Sequence, residues 1–178
     1  VSVGGQEYEL DCLIYATGFE VGTDYSHRAD IQLLGRDGVS LTDAWADGVR
    51  TLHGMHVNGF PNCFVMSNAQ AGFTANYPHL LDEQAKHIAY IIQAATERGH
   101  SRIEVTQEGE STWVQRCIDK ARDTGDFLEN CTPGYYNNEG RTGDRSAQDG
   151  FYGGGSIEFF HLLSRWREAD DLDGLALS

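Results

Sequence analysis

The chain has 178 residues, the length of one domain, and its 40% hydrophobic content is enough for a packed core. A formal net charge of −14 and a pI of about 4.7 leave little Lys or Arg free to neutralise phosphates, which speaks against a nucleic-acid backbone or an anionic membrane as partner. The four cysteines, Cys12, Cys63, Cys117 and Cys131, form no C-x-x-C pair and read as reduced thiols of a cytoplasmic protein.

No stretch approaches the ~18 consecutive apolar residues of a membrane span. Val1-Ser2-Val3-Gly4-Gly5 is not a signal peptide. The sequence has no initiator Met and opens inside what reads as a strand, so we expect a piece of a longer protein.

In chain order, Val1 and Val3 alternate with small residues before a Gly4-Gly5 turn, and Tyr8 and Leu10 alternate with Glu7 and Glu9, which predicts a hairpin. Leu10 to Ala16 is nearly continuously apolar, the composition of a parallel strand covered on both faces, and it stops at Thr17-Gly18. Residues 20–61 are irregular and glycine-punctuated, with short strands expected at Ile31–Leu34 and Val39–Leu41. Cys63–Met66 predicts a second buried strand, a parallel neighbour of the first, leading into a small-residue loop from Ser67 to Tyr77.

Pro78 to Arg98 predicts a long helix. Leu81, Ala85, Ile88, Ile92 and Ala95 recur at helical spacing, Asn76 can cap the start, and Gly99 suits the position just past the end. Arg102–Gln107 predicts a strand. Ser111–Asp123 predicts a helix capped by Ser111 or Thr112. Residues 124–155 read as loop, and Ser156–Ala169 as an amphipathic helix presenting Phe159, Phe160, Leu163 and Trp166.

No self-sufficient catalytic motif is present: no G-x-G-x-x-G, P-loop, G-x-S-x-G or H-E-x-x-H. His53 and His56 lie in a glycine-rich loop with no evident third ligand, so solvated or backbone-bonded histidines are expected there, not a metal site. Nothing nominates a nucleophile with a base. Two features carry chemistry. A buried strand closing in Ala16-Thr17-Gly18-Phe19 lets backbone approach a cofactor at the strand's C-terminal end. A strand, a small-residue loop and the helix start at Thr74-Ala75-Asn76-Tyr77 form an arrangement that holds negative charge. Taken singly, each also fits an ordinary strand ending or strand-to-helix connection.

Taken in order they form a series. Asp11 to Phe19 resembles the D-x-x-x-x-A-T-G-F segment of Baeyer–Villiger-type flavoprotein monooxygenases. Trp45-x-x-Gly48-x-Arg50-Thr51 and Gly59-Phe60-Pro61-Asn62-x-Phe64 resemble the stretch that follows. The loop 67–78, with Glu83-Gln84, fits the next block, and Asn130 to Gly140 resembles a C-terminal segment of one subgroup. The resemblance covers nearly the whole chain, though Asn68-Ala69-Gln70-Ala71 replaces a Gly/Pro/Ser-rich stretch.

The resemblance implies an α/β fold: the completing half of a Rossmann-like FAD-binding domain, with parallel strands plus helices, and an irregular, partly helical C-terminal extension. Residues 1–10 would end the NADPH-domain hairpin, 10–107 would be the C-terminal part of the FAD-binding domain, and 108–178 the extension. It implies FAD and NADPH as cofactors, a small ketone and O2 as substrates, and an ester or lactone as product. Ala16, Thr17, Gly18 and Phe19 would lie against the FAD pyrophosphate. Thr74, Ala75, Asn76 and Tyr77 would lie beside the flavin ring, with Phe73 and Tyr77 bordering the substrate. The family's glycine-rich phosphate loops, its fingerprint and its catalytic arginine fall outside this sequence, so no catalytic residue is transferred and the chain alone is expected to be inactive. A flavin-dependent N- or S-oxygenase and a non-catalytic acidic interaction module are the alternatives.

Overall fold

The computed structural model describes residues 1–16, 30–122, 130 and 146–178. Strands β1 (Ser2–Val3) and β2 (Gln6–Glu7) form the expected antiparallel hairpin. Gly4 and Gly5 turn it with φ of 60° and 84°, a pair of left-handed conformations that suits glycine.

The expected strand Leu10–Ala16 does not form. The segment is irregular, with Ile14 82% and Tyr15 80% exposed. A strand of this composition needs sheet neighbours and covering helices, and the described residues supply it with neither. Cys63–Met66 makes no parallel ladder either: Phe64 bridges His56 antiparallel, and the Val65 N–H donates to the Met55 carbonyl at 2.8 Å. No ladder or bridge among the described residues joins 10–16 to 63–66. Among the described residues two small antiparallel sheets form, one of them the expected hairpin, and the expected parallel pair does not, within an α/β fold.

Between residues 30 and 62 a turn at Arg36–Gly38 is closed by an antiparallel bridge from Leu34 to Ser40. The Ser40 side chain accepts from the Asp43 N–H and starts the short helix α1 (Leu41–Ala44), so Val39–Leu41 is not a strand. Helix α2 (Tyr77–Glu97) matches expectation at both ends: Asn76 caps it, Pro78 sits in its first turn, and Gly99 follows at φ 77°. Its buried stripe, however, is Leu80, Gln84, His87, Ile91, Ala94 and Ala95. That face lies one residue before the expected one, a rotation of about 100°. Ile92, expected inside, is 45% exposed. Two polar residues on the inner face hid it from an apolar count.

Strand β3 (Ile103–Val105) stands where a strand was expected, and helix α3 (Gln107–Lys120) follows at once. Thr106, not Ser111 or Thr112, is its cap, accepting from the Gly109 N–H at 3.0 Å. The expected loop 124–155 contains a short helix α4 (Ser146–Asp149) and the fully buried Tyr152. Helix α5 (Gly155–Ala169) buries Phe159, Leu162 and Leu163. The chain closes with β4 (Leu175–Leu177), which the sequence did not signal and which pairs antiparallel with β3.

The main core lies where α2, α3 and α5 meet the turn around Met55: Leu80, Trp113, Cys117, Tyr152, Phe159 and Leu163 pack there. A second cluster joins Leu41, Val57, Phe60 and Val65, with Trp45 against it. Residues on both sides of position 107 share the main core.

Candidate functional site

The stretch 45–62 builds a frame under the loop 67–76. The Trp45 indole N–H donates to the Arg50 carbonyl at 2.9 Å, fixing the approach to a turn over residues 51–57. Arg50 reaches the carboxylate of buried Glu110 at 3.1 Å, and the other oxygen of Glu110 accepts from the Asn58 N–H at 2.8 Å. Asn62, at φ 56°, exchanges backbone and side-chain bonds with Ile103 and so ties the Gly59-Phe60-Pro61-Asn62 turn to β3. Of the residues that carry the series here, Trp45 thus braces the stretch internally, Arg50 ties it to α3 and Asn62 ties it to β3.

Gln70 is the pivot of the loop. It is fully buried, at φ 54°. Its side-chain oxygen accepts from the Thr51 hydroxyl at 2.6 Å, and its amide nitrogen donates to the carbonyls of Val49 at 2.7 Å and Gln148 at 3.0 Å. Its backbone carbonyl accepts from the Trp113 indole at 3.2 Å. A left-handed backbone at a non-glycine residue is costly unless the surroundings over-determine it, and these bonds do so. Beside it, a Cβ on Gly54 would stand 2.9 Å from the Ala69 carbonyl oxygen, so the turn and the loop touch backbone to backbone. Sequence reasoning missed Gln70, which sits inside a small-residue run, and Glu110, which lies between the expected strand and the expected helix and was given no role.

From that base the chain emerges. Ala75, Asn76 and Tyr77 are exposed and Thr74 is half-buried. The Thr74 hydroxyl accepts from the Asn76 N–H at 3.3 Å, and the Asn76 side chain accepts from the His79 N–H at 3.4 Å. The first turn of α2 carries no acidic residue. A long helix thus presents an N-terminus capped by Asn76 but carrying no negative side chain, and Ala75 adds no bulk. This fits the negatively charged edge of a bound group. Phe73 is exposed and packs against Phe151 with ring centroids 4.5 Å apart.

The other half of the expected site is not assembled in the same way. Ala16 is exposed in an irregular segment, and Thr17, Gly18 and Phe19 lie outside the described residues, as does most of 130–140. The structure brings Thr74 to Tyr77 together at one helix start and pairs none of them with Ala16.

His53 and His56 are buried, not solvated. Trp113 and Trp166 stand edge-on to His53 with centroids at 5.0 and 5.6 Å, and Phe64 stands edge-on to His56 at 5.0 Å. The third ring is His87, from the inner face of α2. Burial, then the neighbouring positive groups, holds His53 down to about 3; burial holds His56 down to about 4. Among the described residues no group of three or more His, Cys, Asp and Glu side chains is arranged to hold a metal ion. Cys12, Cys63 and Cys117 are unpaired, and burial pushes the Cys117 thiol up to about 12, which leaves it inert as a nucleophile. No helix among the described residues is long and apolar enough to cross a membrane.

No family model matches the chain. Individual proteins do. Pentalenolactone D synthase of Streptomyces exfoliatus is 51% identical over 99% of this chain and 31% of its own length. A Baeyer–Villiger monooxygenase of Streptomyces coelicolor is 45% identical over 94% of the chain and 28% of its own length. The solved polycyclic ketone monooxygenase of Thermothelomyces thermophila superimposes with a TM-score of 0.83 at 33% identity, over 99% of this chain and 29% of that one. The chain spans less than a third of the length of each of these proteins. Along nearly all of its length the chain belongs to the Baeyer–Villiger monooxygenase family.

Proposed function

We propose that the chain is the C-terminal portion of an FAD- and NADPH-dependent monooxygenase that inserts oxygen next to a ketone carbonyl to give an ester or lactone. The observation that carries this reading is the likeness, along nearly all of the chain, to enzymes named for that reaction. Bound FAD, reduced by NADPH, would supply the activation of O2. The residues of this chain would bind and orient. Thr74, Ala75, Asn76 and Tyr77 would face the flavin ring, where the open start of α2 favours negative charge. Ala16, Thr17, Gly18 and Phe19 would lie against the pyrophosphate. Phe73 and Tyr77 would exclude water at the edge of a small ketone.

In this reading residues 1–10 end the NADPH-domain hairpin, 10–107 complete a Rossmann-like FAD-binding domain, and 108–178 are an extension sharing its core, in a cytoplasmic enzyme. The exposed apolar side chains of Leu10 to Tyr15 support the division, since a sheet supplied by the rest of a longer protein would cover them. The test is to express the full-length parent, record its flavin absorption and follow NADPH oxidation with cyclic ketones. The expected result is ketone-dependent oxidation and a product one oxygen atom heavier with the ester connectivity. Turnover of amines or sulfides but not ketones would replace this reading with an N- or S-oxygenase, and a colourless parent would remove it.

A further inference from the structure

The turn 51–57 and the middle of α2 meet through three imidazole rings, and both elements hold the loop 67–76. From the turn, Thr51 bonds Gln70 and Gly54 abuts Ala69; from α2, the Gln84 amide donates to the Ser67 carbonyl at 3.0 Å. Between them His53 Nδ1 stands 3.3 Å from His87 Nε2, and the ring of His56 lies 6.3 Å from that of His87. A hydrogen bond between two ring nitrogens needs one proton and one lone pair. With both rings in the charged, doubly protonated form, the contact becomes two opposed N–H groups on two like charges.

The surroundings favour uncharged rings. On α3, Trp113 and Arg116 act on His53, and Glu108 lines the groove outside it. On α5, Trp166 packs on His87, Arg167 repels it, and Arg165 lines the same groove. Asp173 lines that groove too, and Glu83, on α2, faces Arg167 at 3.7 Å. On the 63–66 segment, Phe64 covers His56. The full charges that act on the rings are Arg116 and Arg167, both positive; Glu83 pairs with Arg167 but does not itself act on the rings.

We propose that His53, His56 and His87 form a proton-sensitive latch: uncharged, they hold the turn 51–57 to the middle of α2, and protonated, they part and release the loop 67–76 with the start of α2. The latch is a property of this chain and stands apart from the flavin reading. Burial first, then repulsion from His53, His56 and Arg167, pushes His87 down to about 2, alongside about 3 for His53 and about 4 for His56. The sign follows from linkage. Folded values below the ordinary 6.5 mean that the open form takes up protons first. Closure is therefore complete above about pH 6.5 and weakens as pH falls toward the folded values. At about pH 5, each histidine freed into water favours opening about 30-fold.

The experiment is amide hydrogen exchange by mass spectrometry on the full-length protein that contains this chain, at about pH 7.5 and about pH 5, corrected for intrinsic exchange. The expected result is that peptides over 67–80 lose protection by at least about 30-fold while those over 103–105 keep theirs. His87→Gln should weaken this response, and His161→Gln, at an exposed site on α5, should leave it intact. Unchanged protection of 67–80 in the native protein overturns the latch, whether or not His87→Gln folds. So does a response that His87→Gln keeps in full, or one that His161→Gln abolishes.

Discussion

Trp113 and Gln70 are joined across the core: the indole N–H of one donates at 3.2 Å to the backbone carbonyl of the other. Trp113 is also stacked on Tyr152, with centroids 5.2 Å apart and planes 20° from parallel. The loop beneath the proposed site is therefore fastened to two aromatic rings of the core by its own backbone, and Gln70 adds its side chain to the same fixture. Gln70→Leu keeps the volume and removes the side-chain bonds. We expect a loss of about 2–4 kcal/mol of stability, since buried partners left unpaired cost about 1–3 kcal/mol each. Urea denaturation measures this directly. A loss no larger than that of an ordinary surface substitution, within about 0.5 kcal/mol, would mean that the loop is held by its backbone alone.

Gly109 sets helix propensity against geometry. Inside α3 an alanine should gain about 1 kcal/mol over glycine. A Cβ at this position would stand 2.6 Å from the backbone Cα of Gly174, which has no flexible side chain to yield. Overpacking of this kind costs about 1–3 kcal/mol. Gly109→Ala should therefore lower the melting temperature, and a rise in Tm would show that the approach of α3 to residue 174 is loose.

The start of α2 gives a prediction that belongs to the full-length protein. Asn76→Ala removes a cap, costing about 1 kcal/mol of local stability, and reorients the N–H groups of the first turn. Asn76→Ala and Tyr77→Ala should shift flavin affinity or reduction potential more than His53→Gln or His56→Gln do at about pH 7.5, where the histidines are neutral. Spectroelectrochemical titration makes the comparison. Loop variants with unchanged flavin affinity and potential would move the ring away from this helix.

Alone, residues 1–178 should bind FAD weakly and show no ketone-dependent NADPH oxidation. The glycine-rich turn that holds a dinucleotide pyrophosphate is absent from the sequence. Leu10, Leu13, Ile14 and Tyr15 also leave apolar surface uncovered, and burying such side chains is worth roughly 1.5–3 kcal/mol each. Self-association measured by sedimentation is expected. A monomeric, yellow, NADPH-consuming chain would contradict the assignment of pyrophosphate binding to missing segments.

Local signals in the sequence reached the structure where the determinants were themselves local. Gly4-Gly5, Asn76 with Pro78, and Gly99 each act within a few residues, and each end was placed correctly. The buried face of α2 was not legible. Its inner positions 84 and 87 are a glutamine and a histidine, each bonded through one nitrogen, to Ser67 and to His53, from elsewhere in the fold. The Thr106 cap was hidden because the helix follows the strand at once, with Thr106 alone between them. β4 was hidden because three residues of Leu-Ala-Leu carry too little pattern until Ile103–Val105 is set opposite them. Of the site, the helix start Thr74–Tyr77 was readable; the supports beneath it, Gln70 and Glu110, were not, because their partners lie far away in sequence.

The pairing of β3 with β4 also bears on how this polypeptide could be divided. Thr106 and Gly174, 68 positions apart, are joined by the Thr106 N–H at 2.9 Å and again by its hydroxyl at 3.2 Å, and the ladder runs on from there to Ile103 and Leu177. Everything between is an excursion closed at its base by non-covalent bonds, and α5 is docked independently on α2. A cut in the backbone between α3 and α4 would leave two pieces, each carrying one strand of that clasp and part of one core. Such pieces have the makings of a split protein, able to find each other and rebuild the same surface from separate chains.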